Sequence, residues 1–134
     1  MSNPTGTADA DLELVLAGYA AYARGDIVKA VSALHPDIEW VASDALADGG
    51  THRGRAAVAA HLRSSRDAWY QLRSMPLGRR LGDRIVVEHH VQGTLADGTA
   101  RQATVAEVFT VRDGQVVHTR AYADPADVPA PVPG

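Results

Sequence analysis

Apolar residues recur at helical spacing in three segments of the chain. Residues 9–26 place them three or four positions apart, and Gly25 is typical of a helix C-terminus. Residues 27–35 form a shorter apolar run that has to end before Pro36, because the residue preceding a proline avoids the α-helical region. Residues 55–72 return to the helical period. These patterns predict three helices.

Alternation of apolar and polar residues, which is typical of strands, marks four other segments. The first is short and covers residues 37–42. The other three cover residues 83–95, 101–111 and 115–122, and the turns between them contain Asp-Gly, where glycine supplies the positive φ of a hairpin. Residues 43–54 are rich in Gly and Asp and are expected to form a loop.

The order of these elements predicts a single α+β domain. Three helices from the N-terminal half that cover one face of a strongly curved, mixed or antiparallel sheet form a cone-shaped barrel with a pocket between the layers. A chain of 134 residues is long enough to bury one core. The domain is expected to span residues 9–124, between a loose tail over residues 1–8 and a Pro-rich tail over residues 125–134.

Composition excludes several classes of protein. The chain has no cysteine, which excludes disulfides and thiolate chemistry. Its net charge of −3 comes from mixed signs, and no basic patch alternates with aromatic residues, which argues against a nucleic-acid partner. No apolar run approaches the roughly 18 residues of a membrane span, and the N-terminus lacks a signal-peptide pattern, so we expect no membrane partner and a cytoplasmic location. Much Ala, Arg and Gly with little Lys suggests a bacterial source.

Metal and cofactor sites have no signature in the sequence. The six histidines are scattered, and no spacing of His, Cys or carboxylates matches a metal site. A Gly-rich phosphate-binding loop is missing as well. The sequence therefore predicts neither a metal nor a cofactor.

A carboxylate interrupts an apolar strand at Glu107, which lies between Ala106 and Val108. Burial of an unpaired carboxylate is costly, so a buried one calls for a reason. One interpretation is an acid whose pKa is raised by an apolar pocket, so that it can move a proton near neutral pH. The other is a strand residue that faces solvent or a partner, or that pairs with an arginine.

The segment of residues 83–95 holds a second group of polar side chains. Alternation sets His89 among valines on one face, and Glu88 with His90 on the other. If the polar face lines the pocket, Glu88 could orient His90 as a base. If that face is exposed, the segment is an ordinary half-buried strand, which the pattern alone favours.

The remaining candidates are bulky or imidazole side chains at apolar positions. His61 shares a helix face with apolar residues, where a histidine is more often part of the core than a catalyst. The aromatic residues can equally be core, but as a set they would suit a flat apolar ligand. This set consists of Trp40, Trp69, Tyr22 and Phe109.

Three quoted segments together carry a family resemblance: "YAAYARGDIVKAVSALHPDIEW", "HRGRAAVAAHL" and "VFTVRDGQVVHTRAYAD". Over residues 10–124 the chain resembles the SnoaL-like and ketosteroid-isomerase-like members of the nuclear transport factor two superfamily. The resemblance implies an oxyanion-hole acid at Glu107 and tilts His90 towards the cavity. It puts the isomerase's general base near Ala42 and its tyrosine at Gly18, and neither residue can do that chemistry.

The resemblance also implies a homodimer through the convex face of the sheet. The sequence supports that interface through four residues that would share this face, namely Val108, Thr110, His118 and Tyr122. The superfamily includes isomerases, polyketide cyclases, epoxide hydrolases, dehydratases and members without catalysis, so the fold does not choose among them.

We therefore predict a cofactor-independent acid–base enzyme of the isomerase, cyclase or dehydratase type, acting on an apolar polyketide- or steroid-like molecule. Glu107 is the expected acid, His90 or His61 the proton acceptor, and Tyr22 the donor to a developing oxyanion. The expected substrate-binding residues are Trp40, Trp69, Phe109, Thr119 and Tyr19. Two alternatives stay open: a non-catalytic module for small-molecule binding or dimerisation, and an epoxide hydrolase.

Overall fold

A computed structural model describes residues 9–42 and 50–129. The helices are α1 (Ala10–Ala23), α2 (Ile27–Ala30) and α3 (Arg55–Asp67), and a short 3-10 helix covers Pro125–Asp127. The strands are β1 (Leu34–Ala42), β2 (Gly50–Arg53), β3 (Trp69–Leu81), β4 (Arg84–Leu95), β5 (Ala100–Arg112) and β6 (Gln115–Tyr122). No helix in these two ranges is both long and apolar enough to cross a membrane.

The six strands form one mixed sheet in the order β2-β1-β6-β5-β4-β3. Neighbouring strands are antiparallel except β1 and β6, which run parallel. Strands β2 and β3 are the two edges, so the sheet stays open, and the three helices pack on one face. The predicted α+β cone is confirmed.

The first helix begins and ends as its sequence predicts. Asp9 caps α1 by accepting a hydrogen bond from the Leu12 amide at 3.1 Å. The same carboxylate pairs with Arg80 of β3 at 2.6 Å, which fixes the start of the helix against the sheet. Beyond the last turn, Gly25 adopts a φ of 80°, a conformation that favours glycine.

The two turns of the β4-β5-β6 meander contain the predicted Asp-Gly pairs. Between β5 and β6, Asp113 and Gly114 have φ values of 52° and 75°. Positive φ at both central positions is the conformation of a tight two-residue hairpin. The hairpin sets the register next to the turn, and a one-residue shift between Thr110 and Val111 then brings Phe109 opposite Thr119.

Two strands were missed by the sequence pattern. The helix predicted for residues 55–72 ends at Asp67, and Trp69–Leu81 forms β3. Pro76 suggested a break, but a proline is tolerated on an edge strand, and β3 is an edge. In the segment predicted as a loop, Gly50–Arg53 pairs with β1.

Other segments differ from the prediction at their ends. The second helix stops at Ala30, and Leu34 already belongs to β1. At the C-terminal end, the expected loose tail begins with the 3-10 helix Pro125–Asp127, which Asp124 caps. The predicted N-terminal tail (residues 1–8), residues 43–49 of the loop and residues 130–134 lie outside the described residues.

The core lies between the helices and the face of the sheet that they cover, called here the inner face. Val15 of α1, Ile38 of β1, Val58 of α3 and Val87 of β4 are at most 4% exposed. Because side chains alternate along a strand, the residues on either side of Val87 point to the opposite, outer face. The alternation therefore decides which side chains of a strand point towards the helices and which point away from them.

Candidate active site

A cavity of about 590 Å³ lies between the helices and the inner face of the sheet. Its walls are largely apolar, with Leu62, Val91, Leu95 and Val105 among them. The aromatic residues predicted to meet a ligand also line it, namely Tyr19, Tyr22, Trp40, Trp69 and Phe109. The cavity has the size and character typical of a small-molecule site, which spans roughly 300–1,000 Å³.

Glu107 projects into this cavity from β5. The β4-β5-β6 register sets it between Val87 and Ala121 on the inner face. One carboxyl oxygen, Oε1, accepts a hydrogen bond from the hydroxyl of Tyr19. Among the described residues no ion pair involves Glu107. The solvent-facing and arginine-paired interpretations of this acid are therefore wrong.

The surroundings of Glu107 and Tyr19 favour their neutral forms. Burial raises the pKa of the Glu107 carboxyl above its ordinary 4.5, and the hydrogen bond from Tyr19 partly opposes this rise. Burial also raises the pKa of Tyr19 well above 10.0, and the adjacent Glu107 charge adds to the effect. Tyr19 is therefore a protonated donor, while Glu107 can exchange a proton closer to neutral pH than an exposed glutamate.

The histidine that faces the cavity from β4 is His89. It is 6% exposed, and its Nε2 lies 2.6 Å from Ser74 Oγ of β3. Its ring packs edge-to-face on the Tyr19 ring with centroids 4.7 Å apart. Burial, aided by the nearby His90, lowers the pKa of His89 to about 4. The imidazole is therefore neutral at physiological pH.

His90 was predicted as a pocket base, and the structure corrects this placement. The residue lies on the outer face, where its Nδ1 is 2.7 Å from Thr104 Oγ1 of β5. Glu88, its expected partner, is exposed on the same face. The apolar face of β4 turns towards the helices because burying valines is favourable, and alternation then sends His90 outward.

Tyr19 rather than Tyr22 provides the hydroxyl beside Glu107. The Tyr22 hydroxyl instead lies 2.7 Å from Ser65 Oγ of α3. Three residues along a helix correspond to a rotation about 60° short of a full turn. This offset turns Tyr19 towards β5 and Tyr22 towards α3, although both side chains line the cavity.

The other predicted residues divide between the cavity and the core. Trp40 packs against Phe109 with ring centroids 6.0 Å apart and against His61 at 6.4 Å. His61 also lines the cavity and stacks on His52 at 4.3 Å. Thr119 faces inward beside Trp40 but is fully buried and does not line the cavity. A contact with substrate is not expected from this placement.

The resemblance puts the isomerase's general base near Ala42, where this chain has only a methyl group. Ala42 lines the cavity, and it cannot accept a proton. Within the described residues, no group of three or more metal-ligating side chains lies together. Among the residues that the structure describes, the titratable side chains that line the cavity are those of Tyr19, Tyr22, His61, His89, Arg101 and Glu107.

Two polar residues that line the cavity were missed by the sequence interpretation. His89 was visible as the polar member of the apolar face of β4, together with Val87 and Val91. That alternation indicated that His89 faces the core, but the family resemblance favoured His90 instead. Arg101 carried no signal, because its place at the cavity depends on the register of β5.

Comparisons with known proteins agree with the fold. A family model described as a SnoaL-like domain matches residues 15–119. An uncharacterized protein of Mycobacterium tuberculosis is 30% identical over 124 residues, which cover 90% of this chain and 94% of that protein.

Two solved structures are similar over most of their length. An NTF2-like protein of unknown function from Burkholderia pseudomallei is 26% identical with a TM-score of 0.76, covering 89% of this chain and 94% of that one. TerC, which was co-crystallised with polyporic acid, is 27% identical with a TM-score of 0.74, covering 88% and 94%.

Proposed function

The chain belongs to the SnoaL-like domain family, and we propose that this member is a cofactor-independent acid–base enzyme acting on an apolar small molecule. One observation carries the proposal: the Glu107 carboxyl faces a largely apolar cavity and is hydrogen-bonded to Tyr19. Acids with a raised pKa inside clefts cluster at functional sites. The fold alone does not select a reaction, so the proposal rests on this pair.

The reaction class follows from what Glu107 and Tyr19 can do together. Glu107 takes a proton from the carbon next to a substrate carbonyl, and the electron pair moves onto the carbonyl oxygen. Once the carboxyl is protonated, the Tyr19 hydroxyl is released to donate to that oxygen. Protonated Glu107 then returns the proton to another atom. Isomerisation, aldol-type cyclisation and dehydration all share such an enolate step.

The two cavity histidines have separate proposed roles. His89 is neutral and packs on the Tyr19 ring, so it orients the tyrosine rather than carrying charge. His61 lies beside Trp40 and remains the candidate for a second proton acceptor. His90 has no role in the cavity, because it belongs to the outer face.

The walls of the cavity favour a flat, apolar substrate of the polyketide or steroid type. Trp40, Trp69 and Phe109 line the cavity and provide the apolar aromatic area that such a ligand would contact. The structure of TerC with polyporic acid supports a small-molecule ligand in this fold.

Hydrogen exchange at carbon tests the proposal without knowledge of the natural substrate. The protein is incubated with α-tetralone and larger fused-ring ketones in deuterium oxide, and loss of the α-proton signal is followed by proton NMR. Wild-type protein should accelerate exchange. Glu107→Gln should reduce the rate by about a hundredfold or more, since a positioned acid–base group contributes roughly that much.

Glu88→Gln is the matched control, because it removes an exposed carboxylate from the outer face. It should exchange protons at the wild-type rate. Activity of Glu107→Gln within a few-fold of wild type would remove the proposed role. Ligand binding without any acceleration by the wild-type protein would favour the non-catalytic binding module instead.

We also propose a homodimer formed through the outer face of the sheet. Leu77 of β3 is 71% exposed there, and Met75 is 37% exposed. The β5-β6 register sets Thr110 opposite His118 on this same face. Exposed apolar side chains on a strand face favour an interface, since covering them removes apolar area from water.

A further inference from the structure

The inner face of β5 carries an acid deep in the cavity and a guanidinium at its mouth. Glu107, Val105, Ala103 and Arg101 follow one another on this face, and all four line the cavity. Along the strand, Glu107 and Arg101 are about 20 Å apart, because a residue advances roughly 3.3 Å. Between the two polar ends the strand presents only small apolar side chains.

Arg101 also borders a second space, an open groove of about 780 Å³. The groove is polar: Arg73, Gln71, Gln92 and Gln102 line it, and no carboxylate does so among the described residues. Arg101 is the residue that belongs to both linings. The β3-β4-β5 register puts Arg73, Gln92 and Gln102 on the outer face, so Arg101 is the arginine, among the described residues, that a ligand in the apolar cavity can meet.

Gly93 of β4 keeps space open in front of Arg101. The β4-β5 register sets these two residues opposite one another. A Cβ atom at position 93 would collide with the carbonyl oxygen of Gln71 on β3. The close approach of β3 thus requires glycine, and the position opposite Arg101 has no side chain to cover the guanidinium.

The guanidinium of Arg101 is available for a ligand. Two other arginines of the sheet are held in ion pairs: Arg80 binds Asp9 and Asp11, and Arg53 binds Glu39. Of the ion pairs recorded within residues 9–42 and 50–129, none involves Arg101. A planar guanidinium with free donors matches a carboxylate in a paired, two-bond geometry.

We propose that the ligand of this site is an apolar ring system that bears a carboxylate, and that Arg101 selects it. The ring system occupies the cavity beside the Tyr19–Glu107 pair, while the carboxylate reaches Arg101 through an apolar spacer. This inference names the substrate class of the proposed enzyme. It rests on the proposed function only in taking this cavity as the substrate site. Arg101 is a specificity-determining residue and takes no part in proton transfer.

Binding of matched acids and esters tests the inference. Naphthyl-alkanoic acids of increasing chain length and their methyl esters are titrated against the protein, with naphthyl fluorescence as the readout. The wild-type protein should bind the best acid about 3- to 5-fold more tightly than its ester, the range expected for an exposed ion pair. The preference should peak at one spacer length and shrink at high salt.

Variants at position 101 locate the source of the preference. Arg101→Gln should bind acid and ester equally, and Arg101→Lys should retain most of the preference because it keeps the charge. Arg112→Gln is the matched control: Arg112 is exposed at the hairpin end of β5 and lines neither space. Its acid preference should equal that of wild type.

Two results would overturn the inference. In one, acids bind the wild-type protein no better than esters at any spacer length, including the case in which neither binds. In the other, the acid preference survives Arg101→Gln. Both are read from binding, whereas the proposed function is read from proton exchange in Glu107→Gln, so failure of one is distinguishable from failure of the other.

Discussion

The hydroxyl of Tyr19 on α1 donates a hydrogen bond to the carboxyl of Glu107 on β5, across 88 residues of sequence. The bond joins the helical layer to the inner face of the sheet at the polar centre of an apolar cavity. Because the donor stabilises the ionised carboxylate while burial destabilises it, Tyr19 adjusts the pH at which Glu107 exchanges its proton.

Removal of the Tyr19 hydroxyl should move the pH dependence of catalysis upward. In Tyr19→Phe the carboxylate loses a stabilising donor, so the pKa of Glu107 rises further. A hydrogen bond to a charged group corresponds to about one pH unit. The midpoint of the pH–rate profile for α-tetralone exchange should shift upward by about that amount. Tyr22→Phe, which loses its bond to Ser65, should keep the wild-type midpoint.

Glu107→Gln should gain stability over wild type as the pH rises. The pKa of Glu107 is higher in the folded protein than its ordinary 4.5, so folding is favoured while the group is protonated. That advantage is complete below pH 4.5 and is lost as the pH rises through the folded pKa. Glutamine has no such titration, so the melting temperature of the variant relative to wild type should increase from acidic to neutral pH.

Glu88→Gln provides the comparison for this measurement, since Glu88 is exposed on the outer face. Its melting temperature should follow that of wild type across the same pH range. A constant difference between Glu107→Gln and wild type at all pH values would contradict the raised pKa of the buried Glu107 carboxyl.

His89 should make the folded protein sensitive to acid. Its pKa falls from 6.5 to about 4 on folding, so the unfolded chain binds the proton more tightly. The contribution of neutral His89 to the free energy of unfolding is therefore complete above pH 6.5. It is lost as the pH falls towards 4, by up to about 3 kcal/mol. Chemical unfolding at several pH values should show that His89→Gln loses less stability over this range than wild type does.

His90→Gln removes an imidazole from the outer face and is the control for that experiment. It should retain the acid sensitivity of the wild-type protein. Equal acid sensitivity in His89→Gln and wild type would show that another group is responsible.

A charge on the outer face should separate the proposed dimer. Leu77→Glu introduces a carboxylate at a site that is 71% exposed in the single chain and is covered in the proposed interface. Light scattering after size-exclusion chromatography should give a dimer for wild type and a monomer for Leu77→Glu. Val28→Glu, at a 76% exposed site on α2, should remain a dimer. A wild-type monomer at micromolar concentration would refute the interface.

Local patterns in the sequence predicted much of the fold. Helical spacing located α1 and α3, and the Asp-Gly turn at Asp113 located the hairpin between β5 and β6. The strand at Trp69–Leu81 was missed because Trp69 and Leu72 also fit the end of a helical pattern. Its place at the edge of the sheet, which explains Pro76, is set by pairing with residues far along the chain.

The sequence predicted the type of site, but it did not identify every residue that lines it. The sequence indicated a buried acid at Glu107 and aromatic walls around it, and the structure places these residues at one cavity. The choices between His89 and His90, and between Tyr19 and Tyr22, were not made correctly. Each choice depends on which way a strand face or a helix face turns, and neighbouring residues of the same type do not distinguish the two options.

The sequence by itself determined the α+β class, the meander and the presence of a carboxylate in an apolar strand, because periodicity and turn chemistry act over a few residues. The tertiary structure alone decided that this carboxylate meets Tyr19, that His89 faces inward, and that Arg101 lies at the mouth of the cavity. These relationships depend on register and on helix rotation, where a shift of one residue turns a side chain to the other face.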